Sequence, residues 1–126
     1  MRIEHYVDGE RRSLSGGRTA PVYLPADGSV QHEVTLGSAN DVRLVVDAAA
    51  KVAPEWAESS LAQRTKILFR YKELLEAHAD ELAGIISAEH GKVRSDAMGE
   101  LRRGIDVVDF ACGISHLQKG EFSENV

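Results

Sequence analysis

The spacing of apolar residues changes once along this chain, near residue 37. Before that point Val30, His32, Val34 and Leu36 alternate with Gln31, Glu33 and Thr35. A period of two places successive side chains on opposite faces, so the segment is predicted to be a half-buried strand. Upstream, His5-Tyr6-Val7 leads into Asp8-Gly9, a dipeptide suited to a tight hairpin turn. Ser15-Gly16-Gly17 reads as a loop and Pro21-Val22-Tyr23-Leu24 as a short strand. Pro25-Ala26-Asp27-Gly28 offers a proline to open a turn and a glycine to close it. Residues 1–37 are therefore expected as strands and turns.

After residue 37 the period becomes helical. Ser38 and Asp41 form a capping-box variant, and Val42, Val45, Val46, Ala49, Val52, Ala53 and Trp56 make one apolar face. This predicts a helix over 38–56, ended or kinked just before Pro54. Ser60 with Gln63 three residues on opens a long helix over 60–90. Its stripe is Ile67, Tyr71, Leu74, Leu75, His78, Leu82, Ile85 and Ile86, and Gly91 is its stop. A last helix is expected over 95–117, with Ser95 or Asp96 as cap and Met98, Leu101, Ile105, Val108 and Cys112 on its apolar side. Gly99, Gly104 and Gly113 interrupt that pattern. Each costs a helix about 1 kcal/mol against alanine, which suggests that bare backbone is needed there. No closing element is expected over residues 121–126.

At 126 residues the chain is one domain or part of one. Charged residues make up 28% and apolar residues 43%, the balance of a soluble globular protein. The net charge of −5 argues against a nucleic-acid partner, which would want a basic face. No apolar run approaches the roughly 20 residues that span a bilayer, and the N-terminus has no signal or transit character, so a cytoplasmic protein without a membrane partner is expected. A single cysteine, Cys112, fits a reducing compartment.

Little in the sequence looks built for chemistry. Cys112 falls late in a predicted helix on the apolar side, where a thiol is inert rather than nucleophilic. Gly91-Lys92 lacks the rest of a phosphate-binding loop: Ile86 holds the first glycine position and Val93 follows the lysine. The five histidines, His5, His32, His78, His90 and His116, show no metal-ligand spacing, and His78 reads as a core histidine with a hydrogen-bond partner. Arg102 and Arg103 differ by about 100° around a helix, so at most one faces inward. The pair is either a solvated face or, beside Gly104, a fork that takes a carboxylate through two parallel hydrogen bonds.

Those residues carry a resemblance. Glu89-His90-Gly91-Lys92, Gly99-Glu100, Arg103-Gly104-Ile105 and the run 108–113, together with the run 5–10, the Pro25–Gly28 turn, Trp56 and the run 64–75, resemble the N-terminal segment of an aldehyde dehydrogenase. Within that family the likeness is to the methylmalonate-semialdehyde dehydrogenase branch, over essentially all 126 residues. It implies an α/β parent enzyme with a Rossmann-type NAD domain, of which residues 1–126 would be the N-terminal part. This chain by itself would be α+β, strands and hairpins followed by three helices. It also implies NAD as hydride acceptor and coenzyme A as acyl acceptor in the intact enzyme. A cysteine attacks the semialdehyde, hydride transfer leaves a thioester, and the acyl group passes to coenzyme A with loss of carbon dioxide. The nucleophile, the catalytic glutamate and the strands that hold NAD lie downstream in the family. The resemblance thus places no catalytic or cofactor-binding residue here, and the chain alone is expected to bind no cofactor and to be inactive. One residue carries over, Arg103, which matches the arginine the branch uses for the substrate carboxylate.

Two readings follow. In the first, the chain is a piece of such a dehydrogenase, its apolar helix faces left open and prone to self-association or homo-oligomer formation. In the second, it is a self-sufficient helical binding or assembly module without catalysis.

Overall fold

The computed structural model describes residues 1–14, 17–118 and 120, and the expectations for Ser15-Gly16 and for residues 121–126 lie outside the described residues. The chain divides into two compact units, Met1–Glu58 and Ser59–Val126.

The first unit is α+β. Its strands are β1 (Arg2–Ile3), β2 (His5–Val7), β3 (Glu10–Arg12), β4 (Thr19–Tyr23) and β5 (Val30–Thr35). Strands β2 and β3 form an antiparallel hairpin with Val7 opposite Glu10. Asp8 and Gly9 both have positive φ, 55° and 78°, as a two-residue hairpin turn requires. The other three strands form a sheet in the order β1-β5-β4, parallel on the β1 side and antiparallel on the β4 side. The turn between β4 and β5 is closed by a bond from the Gly28 amide to the Leu24 carbonyl, 2.8 Å, with Gly28 at φ 76°. Asp27 Oδ1 accepts from both the amide and the hydroxyl of Ser29.

The expected strand forms, and its expected face is reproduced only in part, at half-buried His32 and Val34. Val30 is 60% exposed and Leu36 37%, while Thr35 is buried. The pairing explains part of this: the β4–β5 register slips between Val22 and Tyr23, beside Val30, and Leu36 lies beyond the strand. Helix α1 (Ala39–Glu58) opens as the capping box requires. The Asp41 amide donates to Ser38 Oγ at 3.3 Å, and Asp41 Oδ2 accepts from the Ser38 amide and hydroxyl at 2.7 and 2.8 Å. Pro54 does not end α1, which continues to Glu58. A proline costs one backbone bond and crowds the carbonyl four residues back, and here the defect falls in the last turn and a half.

The second unit is helical: α2 (Leu61–Ala77), α3 (Ala79–His90), α4 (Arg94–Cys112) and the short α5 (Ile114–Leu117). Both halves of the Ser60–Gln63 capping box are formed. The single helix expected over 60–90 is broken at His78, whose dihedrals (φ −105°, ψ 16°) are not helical although its amide still reaches the Leu74 carbonyl at 3.0 Å. Gly91 stops α3 in the left-handed conformation at φ 79°. Helix α4 begins at Arg94, ahead of Ser95 and Asp96; Val93 takes the cap position and no side chain caps it. Gly113 divides the expected last helix, so the chain has five helices among its described residues rather than three.

The buried apolar residues are small: Ala83 on α3, Ala97 on α4 and Cys112. Helices α2 and α3 both pack on α4. Long side chains join the elements at the edge of this seam. Lys72 Nζ reaches Asp109 Oδ1 at 2.5 Å, and Arg94 Nη2 donates to the Asp80 carbonyl at 2.7 Å. Most large apolar residues are open instead. Val42, Val46, Val52 and Trp56 on α1, Ile67, Phe69 and Tyr71 on α2, and Val107 and Phe110 on α4 are all half exposed or more.

Candidate functional site

The sequence directs attention to α4, and the structure separates its two arginines. Both are exposed. Arg102 turns into an open cleft of about 610 Å³ against α2 and α3, lined also by Glu76, Asp80, Met98, Ile105 and Asp106. Arg103 lies elsewhere on the helix and lines no part of that cleft. It makes no hydrogen bond or ion pair among the described residues, so its five N–H donors remain available.

The glycines around it differ in what they do. A Cβ at Gly104 would meet nothing within 4 Å, and one at Gly99 would touch only Arg103 Nη1, at 3.8 Å. Neither position demands bare backbone. Gly99 does show that the Arg103 side chain folds back along the helix over the preceding turn, the direction long helical side chains prefer. Gly113 is the crowded one, since a Cβ there would lie 3.3 Å from the Phe110 carbonyl oxygen.

One turn before Arg103 stands Glu100, and its carboxylate is taken by Lys92 Nζ. That contact, with weaker help from His90 and Arg103, holds the Glu100 carboxyl below the ordinary carboxylate range. No periodic signal in the sequence marks this pair. Its trace is two opposite charges eight residues apart, the lysine directly after a glycine helix stop and the glutamate in the next helix.

The remaining candidates fall into place. Cys112 is buried, with 6% of its surface exposed, and is a free thiol. His78 is not a core histidine: its side chain is exposed, and its Nδ1 lies 3.0 Å from Glu81 Oε2. It sits where α2 ends and α3 begins, so it cannot continue the apolar stripe. Among the described residues no three His, Cys, Asp or Glu side chains gather to hold a metal ion, and no helix is long and apolar enough to cross a membrane. The N-termini of α1 and α2 are closed by their own Ser38–Asp41 and Ser60–Gln63 boxes, whereas α3 and α4 begin without a side-chain cap.

Comparison with known proteins places this arrangement. The aldehyde dehydrogenase family pattern matches residues 12–125. The chain is 39% identical over 124 residues to the malonate-semialdehyde dehydrogenase of Pseudomonas aeruginosa, covering 98% of this chain and 25% of that protein. Its fold matches the methylmalonate-semialdehyde dehydrogenase of Oceanimonas doudoroffii at a TM-score of 0.92 and 42% identity, over 99% of this chain and 25% of that one. It also matches a Sinorhizobium meliloti protein assigned as a methylmalonate-semialdehyde dehydrogenase and complexed with NAD, at a TM-score of 0.93 and 37% identity, over 100% of this chain and 26% of that one. The chain thus spans about a quarter of the length of the relatives it matches.

Proposed function

The chain belongs to the aldehyde dehydrogenase family, and on that footing we propose that it supplies the N-terminal quarter of an NAD-dependent, coenzyme A-acylating malonate- or methylmalonate-semialdehyde dehydrogenase. The observation that carries this reading is the 39–42% identity, over nearly the whole chain, with dehydrogenases named for those two semialdehydes. In such an enzyme NAD supplies the hydride acceptor and coenzyme A the acyl acceptor.

This chain's contribution would be to bind and orient. Arg103 presents an unoccupied planar fork, matched in shape to a carboxylate. Two parallel N–H···O bonds to the substrate carboxylate would fix the direction in which the aldehyde carbon points. The open faces of α1, α2 and α4 suit a chain that is covered by further polypeptide, and by itself would self-associate.

Kinetics of the full-length dehydrogenase test the assignment. Arg103→Ala is expected to raise KM for malonate semialdehyde by about a hundredfold, the worth of a charge-assisted pair, and for propanal by only a few fold. Equal effects on the two aldehydes would remove the carboxylate role. The 126-residue chain alone is expected to reduce no NAD with either aldehyde.

A further inference from the structure

The structure pairs Glu100 with Lys92 and gives Arg103 no hydrogen bond or ion pair among the described residues, although Glu100 stands three residues before Arg103, on the side toward which the guanidinium folds back; Asp106, three residues after it, lies on the other side. Residues three apart on a helix are close neighbours, and an acid and an arginine at that spacing ordinarily attract one another. We infer that Lys92 is a positioning residue for Arg103: by occupying the Glu100 carboxylate, it keeps the arginine fork free for a carboxylated substrate. The inference rests on the carboxylate role proposed for Arg103.

The local backbone explains how Lys92 comes to do this. Gly91 adopts φ 79° and ends α3, so the chain reverses within one residue. Lys92 follows at once, and Val93 already caps α4. The lysine is thereby set beside the first turns of α4, where its side chain is only 21% exposed against 48% for Glu100. A half-buried stem holds the ammonium in place better than a freely solvated one, because less rotamer freedom remains to be lost. The arginine is held apart by a different device. Its guanidinium runs back over the preceding turn, where a Cβ at Gly99 would meet Arg103 Nη1 at 3.8 Å, an ordinary van der Waals contact. The charges close to Glu100 are therefore Lys92, His90 and Arg103, three groups of basic type around one carboxylate. With Lys92 in contact, that carboxylate is answered without Arg103. Without Lys92, Glu100 would either draw Arg103 into an intrahelical pair or leave a negative charge facing the incoming carboxylate. Both outcomes weaken binding of an anionic substrate and neither touches an uncharged aldehyde.

The Gly91-Lys92 pair thus has a use distinct from a phosphate loop. The glycine sets the turn and the lysine holds the neighbouring acid.

Steady-state kinetics of the full-length dehydrogenase with malonate semialdehyde and with propanal test the inference. Lys92→Met, which leaves the Glu100 charge uncompensated, is expected to raise KM for malonate semialdehyde by about tenfold and for propanal by less than about twofold, with little change in kcat for either. The double variant Lys92→Met/Glu100→Gln should return the semialdehyde KM to within about threefold of the parent, because the carboxylate that Lys92 occupies is removed with it. Lys92→Arg should behave as the parent. A Lys92→Met effect equal on both aldehydes, or no recovery in the double variant, would overturn the inference. If Lys92→Met does not fold, Glu100→Gln alone decides: an unchanged or lower semialdehyde KM supports the inference, and a raised one overturns it. Arg103→Ala separates the two levels. If it discriminates between the aldehydes while Lys92→Met does not, only the role of Lys92 falls; if it does not discriminate, the carboxylate reading falls with it.

Discussion

Between Met1 and Glu58 the chain is tied by backbone ladders and end-caps, whereas from Ser59 onward it is tied by side chains that reach from helix to helix. In the first unit the strongest features are the β4–β5 ladder, the Asp8–Gly9 hairpin and the Ser38–Asp41 box. Its buried side chains are polar, Thr35 and Asp41, and the valines of α1 stand open. In the second unit Ala83, Ala97 and Cys112 are buried, and ion pairs span 37, 14 and 8 residues of sequence: Lys72–Asp109, Arg94–Asp80 and Lys92–Glu100. Backbone ladders define local shape without needing a core. A seam of alanines defines how closely two helices approach, and so it tolerates no added volume.

The contrast can be broken most sharply at Ala97, which is fully buried on α4, the helix on which α2 and α3 both pack. Ala97→Leu is expected to destabilise the chain by about 2–3 kcal/mol, read from the denaturation midpoint at unchanged slope. A cost no larger than that of a surface change would mean that the seam is loose. On α1 the same kind of measurement should give almost nothing. Val46 is 58% exposed, and Val46→Ser is expected to shift stability by no more than about 0.5 kcal/mol while lowering concentration-dependent association in light scattering. A loss of several times that value would show that the α1 face is already packed.

The smallest effect concerns the ionic ties. Glu100 titrates below its ordinary 4.5, so its pairing adds stability above that pH, and the gain disappears as the pH falls through the depressed value. Melting temperatures of the parent and of Glu100→Gln, followed from about pH 6 to about pH 3, should therefore converge on acidification. A gap that stays constant over that range would dissociate Glu100 from the pH response. Being exposed, the pair should also weaken with added salt.

What could be read from the sequence follows the same division. Signals that act over three or four residues held: both capping boxes, the Asp8–Gly9 turn and the Gly91 stop. The break at His78 carries no glycine or proline to announce it. Pro54 announces an end that α1 does not obey, and Val93 caps α4 with no polar side chain. The break at His78 falls between two helices that both pack on α4, a relation no short window of sequence contains. At the candidate site, physics alone found the arginine pair but could not rank its members, and resemblance selected Arg103. The structure adds that Arg102 faces an acid-lined cleft and Arg103 does not. The Lys92–Glu100 contact has no periodic signal because Lys92 lies in the connection ahead of α4, outside any helix.

The non-helical residue at His78 also sets a phase. It joins α2 to α3 with no spare length, as Ala77 ends one helix and Ala79 begins the next. Adding a single amino acid there would swing α3 by about 100° about its axis. Ala83 would then leave its buried position, and Asp80 would be withdrawn from Arg94. Homologous chains should accordingly vary in loop size around the β-hairpin far more readily than at this joint, where even the shortest insertion puts the two helices out of step.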